Sequence, residues 1–136
     1  MSCVLRISGT DLSLKDLLRI KLIPDSTWEI GAPKIPGKPA LKRYTNTGAS
    51  YLVSDADFDD FDLQKSDAIE FLRKNEAQIK EAMKLPAVGE ATLDFGINRR
   101  EVAAQFDYFQ PELLELVGKL GLGIELSQYS IDQESK

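Results

Sequence analysis

The chain has 136 residues, 43% of them apolar and 29% charged, with a formal net charge of −5. That is the size of one domain with apolar residues enough for its own core, and the anionic balance disfavours nucleic acid, whose binders need a basic face to displace counterions. Histidine is absent and Cys3 is the one cysteine, which excludes Ser–His and Cys–His nucleophilic pairs, histidine metal ligands and an intrachain disulfide.

No apolar run approaches the roughly 18 residues that a membrane span needs. Arg6 interrupts the N-terminal apolar segment too early for a signal peptide. A lone cysteine suits a reducing compartment, so a cytoplasmic protein is expected, with Cys3 as a small core residue.

Residues 3–8 mix β-branched and apolar side chains and stop at Gly9, which predicts a strand. Ser13 and Asp16 have the spacing of a capping box, and Leu14, Leu17 and Leu18 follow at helical spacing, so a short helix is expected over 14–21. Residues 24–48 are irregular, because Pro24, Pro33, Pro36 and Pro39 each remove a backbone donor. Only Thr27–Ile30 reads as a strand there. From Ala32 to Arg43 the basic residues Lys34, Lys38, Lys42 and Arg43 have no acidic neighbour, leaving a cationic island in an anionic chain.

Residues 49–54 predict another strand, and an acidic run follows with five aspartates in the eight positions Asp55–Asp62. A long helix is expected over 64–84, with Ile69, Leu72, Ile79 and Met83 as its apolar stripe and Asp62 or Ser66 as its N-cap. Ala91, Leu93, Phe95 and Ile97 alternate with polar residues, as in a half-buried strand. Residues 102–109 read as its hairpin partner, with Ala104, Phe106 and Tyr108 on one side. Pro111 opens a helix with Glu112 early, Lys119 late and Gly121 beyond its end. A last strand covers 123–131.

The expected fold is therefore α+β: a mostly antiparallel sheet of about six strands with three helices, built as a ferredoxin-like βαββαβ core plus a further βαβ unit. It forms a single domain over 1–131, with a Pro/Gly-rich loop at 32–48 and a loose tail at 132–136.

Asp55, Asp57 and Asp59 begin like an EF-hand loop. The sixth and twelfth positions, which require Gly and Glu, hold Asp60 and Ser66. No metal and no cofactor are expected. The glycines at 118, 121 and 123 span a helix end and a strand start, the reverse of a dinucleotide fingerprint, and read as cap and turn residues.

Leu5-Arg6-Ile7-Ser8-Gly9, then Pro24, Trp28 and Gly31, then Pro111-Glu112-Leu113-Leu114, Leu120-Gly121-Leu122, Ile124-Glu125-Leu126 and Tyr129 together resemble a family of small bacterial domains of unknown function. The resemblance covers about 5–131. It implies a bacterial cytosolic α+β domain and transfers no functional residue.

Two functions from different classes fit these residues. The first is a non-catalytic protein-binding module, of inhibitor or immunity type, that meets a basic protein through Asp55, Asp57, Asp59 and Asp60, with Phe58 and Phe61 as apolar anchors. The same acidic run also reads simply as a solvated loop feeding a helix. The second is a small-molecule or anion-binding protein, with an enzyme among its forms, whose pocket lies under the 24–48 loop. Trp28 and Tyr44 would line it and Lys42 or Arg43 would meet the negative group; the plainer reading is that Trp28 packs the loop onto the domain. Homo-oligomerisation through the 123–131 strand is a third expectation.

Overall fold

A computed structural model of the chain describes residues 1–38 and 42–130. Pro39 of the irregular stretch, Ile131 and the expected tail at 132–136 lie outside the described residues.

The strands are β1 (Cys3–Gly9), β2 (Ser26–Trp28), β3 (Thr47–Ser54), β4 (Glu90–Asn98) and β5 (Gly123–Tyr129). The helices are α1 (Leu14–Leu18), α2 (Phe61–Lys74), α3 (Glu76–Met83) and α4 (Pro111–Leu120). One sheet holds all five strands in the order β2-β3-β1-β4-β5. β1 pairs antiparallel with β3 on one side and β4 on the other, and β2 pairs antiparallel with β3. Thus β1 and β2 run parallel with β3 between them, and β3 and β4 run parallel with β1 between them.

β5 pairs parallel with β4, so the sheet is mixed rather than mostly antiparallel. The reason is α4, which carries the chain back along the sheet before β5 begins. The sixth strand expected at 102–109 is absent. β1 and β5 occupy both sides of β4, so no hairpin partner fits beside it, and Val102, Phe106 and Tyr108 stand exposed instead.

Among the described residues the helices number four, not three, because the expected 64–84 helix breaks at Asn75 (φ −109°, ψ 18°). The Phe71 carbonyl accepts both the Asn75 N–H and the Asn75 side-chain amide, each at 3.0 Å, a local side-chain bond of the kind asparagine makes at helix ends. The helix also starts earlier than expected. Asp60, rather than Asp62 or Ser66, is its N-cap, accepting from the Leu63 N–H at 3.1 Å. Ser13 caps α1 by position alone, with no side-chain bond. Gly121 ends α4 in the left-handed conformation (φ 75°) that its sequence signals predict.

Alternation sorts the sheet into two faces. Cys3, Leu5, Ile7, Ala49, Tyr51, Leu93 and Phe95 share one buried cluster with Leu17 of α1, Leu72 of α2, Ile79 of α3 and Leu113 of α4. All four helices therefore cover the same face. On the other face Arg6 bridges Asp94 and Glu125, each at 2.7 Å, and the Ser127 hydroxyl donates to Asp94 at 2.7 Å. No helix among the described residues covers this network.

Candidate functional site

The acidic turn links β3 to α2. Asp55 pairs with the N-terminal amine at 3.4 Å. The Asp57 carbonyl accepts from the Asp60 N–H at 2.9 Å and from the Gln64 amide at 3.3 Å, and Asp59 accepts from the Asn98 amide at 2.7 Å. Asp62 is 97% exposed and lies 3.4 Å from Lys65. All five aspartates are exposed at the residue level. Their backbone is tied down while their charge faces water.

Phe58 and Phe61 do not stand beside those charges as free anchors. Phe58 packs against Tyr129, ring centroids 5.4 Å apart, over the bare backbone of Gly96. Phe61 meets Phe95 and Phe109 edge-on at 5.6 and 5.5 Å, a favoured aromatic geometry. Both rings fasten the turn to the domain.

The exposed aromatics come from elsewhere. Phe106 is 86% exposed and Tyr108 67%. They sit on the 99–110 segment, across a cleft of about 290 Å³ from Asp59, Asp60 and Asp62. Side chains, not a strand ladder, shape that segment. The Arg100 N–H donates to the Gln105 side-chain oxygen at 2.8 Å, and the Gln105 amide donates to Asp107 at 3.0 Å.

Lys65 joins the two halves. Buried at the base of the cleft, its ammonium donates to the Tyr108 carbonyl at 2.6 Å and lies 4.4 Å from the centre of the Phe61 ring. The sequence signal for Phe106 and Tyr108 was their alternation, which also suits a strand; only the occupied sides of β4 turn them outward.

The second candidate group is also brought together. Trp28 stacks on Tyr44 at 6.0 Å, and its indole N–H donates to Asn46 at 2.8 Å. Lys34 lies 5.7 Å from the Tyr44 ring centre. Arg43 donates to the Gly31 carbonyl at 2.7 Å and Lys42 is exposed. These bonds close the loop on itself, and the adjoining cleft of about 630 Å³ is lined instead by Leu12, Lys15, Arg19, Glu29, Ile30 and Thr47, among others.

No family model, curated protein or solved structure matches the chain.

Chemically, the acidic surface offers carboxylates, two aromatic rings and a carbonyl-bound ammonium, and no cysteine or histidine nucleophile. Among the described residues, no group of three or more Cys, Asp or Glu side chains is placed to hold a metal ion. Burial pushes the Cys3 thiol far above its usual range, with Asp94 and then Asp67 adding to the shift, and a thiol kept protonated is a poor nucleophile.

Proposed function

We propose that the protein is a non-catalytic binding module, of inhibitor or immunity type, that docks a basic protein on the surface made by the acidic turn and the 99–110 segment. The observation that carries this reading is the exposure of Phe106 and Tyr108 across one cleft from Asp59, Asp60 and Asp62. Aromatic anchors beside charge are the arrangement from which interface hot spots are built. Carboxylates around them would steer a cationic partner and fix its orientation. The net charge of −5 acts in the same direction.

The test is affinity capture by the full chain against two variants, Phe106→Ala and Asp62→Lys. Neither alters the Asp60 cap, and because Asp62 also lies 3.4 Å from the buried Lys65 ammonium, the Asp62→Lys protein is compared once its 100–109 amides exchange like those of the wild type. A stoichiometric basic protein held by the wild type should be weakened at least about tenfold by Phe106→Ala. Asp62→Lys should slow association and flatten its salt dependence. Equal binding by all three proteins would remove the proposal.

A second reading rests on the Trp28–Tyr44 stack with Lys34 beside it, a platform for a small anionic ligand under the 24–48 loop. Its check is Trp28 fluorescence with thermal stability across a metabolite panel; no change in either would discard it. A ferredoxin-like core over β1 to β4, kinship with small bacterial domains and a bacterial cytoplasmic setting belong to the same proposed picture.

A further inference from the structure

The two ends of the sheet are protected unequally. β2 is three residues long, follows Pro24 and leads into a Pro-containing loop. Short length and proline are standard devices against strand addition. β5, at the other end, has seven residues, no proline and one charge, Glu125, which Arg6 holds at 2.7 Å. Among the described residues no strand lies outside it.

Alternate residues of β5 present their peptide groups to solvent. The Tyr129 carbonyl accepts from the Arg99 N–H at 2.8 Å, so Tyr129 directs its peptide groups toward β4. Strand alternation gives Gly123, Glu125 and Ser127 the same direction and turns the N–H and C=O of Ile124, Leu126 and Gln128 outward.

We propose that this edge pairs with β5 of a second copy of the chain, antiparallel about a two-fold axis at Leu126, and joins the two sheets into one. This register sets Leu126 against Leu126 and Ile124 against Gln128, so every outward N–H and C=O meets a partner. It also sets Glu125 against Ser127. Moving the axis by one residue to Glu125 would oppose two carboxylates, which is destabilising. The self-complementarity that a two-fold contact requires is thus written into one strand. Ile124 and Leu126, only partly buried in one copy, gain cover from the other. The proposal is independent of the acidic surface.

The experiment is sedimentation of the full chain over a range of concentrations, together with residue-resolved amide exchange. The expected species has twice the 15.2 kDa chain mass, with Ile124, Leu126 and Gln128 amides protected like those of Glu125 and Ser127. Gln128→Pro removes an outward N–H at an exposed edge position, where proline is tolerated. It should yield a monomer in which Ile124 and Leu126 exchange freely while Glu125, Ser127 and Tyr129 stay protected, showing that the strand is still folded. A wild type that stays monomeric with freely exchanging Ile124, Leu126 and Gln128 amides overturns the proposal, as does a dimer of unchanged affinity in a folded Gln128→Pro variant. If that variant fails to fold, the wild-type exchange pattern decides alone.

Discussion

Gly48 shows how one missing side chain positions an aromatic one. A Cβ added there would lie 2.6 Å from the Ile7 carbonyl and 2.6 Å from Cζ2 of Trp28. The indole can swing away, but the carbonyl belongs to the β1–β3 ladder and cannot. Gly48→Ala should therefore cost about 1–3 kcal/mol through overpacking. It should also shift the fluorescence of Trp28, the only tryptophan. A variant with wild-type urea midpoint and unshifted emission would show that the contact is looser than the distances state. Gly96 serves Phe58 and Tyr129 in the same way. Neither glycine announces this in the sequence, where each is an ordinary strand residue.

At the scale of elements, the 99–110 segment depends on Lys65. Its ammonium satisfies the Tyr108 carbonyl at 2.6 Å, and Asp62 balances its charge at 3.4 Å. Lys65→Met keeps the stem and removes the donor. The orphaned carbonyl should cost about 1–3 kcal/mol, and amides over 100–109 should exchange faster while those of β1 and β4 do not. Unaltered exchange over 100–109 would mean that Arg100 and Gln105 hold the segment unaided. α3 and α4 are joined in a comparable way: the Lys119 ammonium lies 2.6 Å from Glu76. That hydrogen bond and the attraction of Lys119 and Lys80 hold the Glu76 carboxyl below its ordinary range. Helix limits were legible where caps were chemical, as at Pro111 and Gly121. They were not legible at Asn75, since asparagine followed by Glu76 is also tolerated inside a helix.

For the whole molecule, the core carries a pH limit on stability. Tyr51 is 1% exposed, and burial pushes its phenol from an ordinary 10.0 up to about 12. The native state thus keeps the proton after the unfolded chain has lost it. This contribution is complete below the unfolded value and is lost as pH rises through the folded one. Urea unfolding should show stability falling from about pH 10 upward, and Tyr51→Phe should flatten that fall. An equal slope in both proteins would assign the alkaline loss to other groups.

Local pattern in the sequence determined the α+β class, the five strands found among the described residues, the short α1, the cap signals of α4 and the core role of Cys3. Each depends on residues a few positions apart, whose period or cap chemistry is nearly independent of the rest of the chain. The acidic character of the 55–62 turn was equally plain. Which side chains that turn presents, the fate of 102–109 and the direction of β5 were decided by the tertiary structure alone. An alternating segment becomes a strand only if a neighbour has an open edge, and β1 and β5 leave β4 none. The aromatics expected on one side of a strand at 106 and 108 therefore face water, while of those meant to be offered at 58 and 61, Phe58 packs on Tyr129 and Phe61 packs against the core.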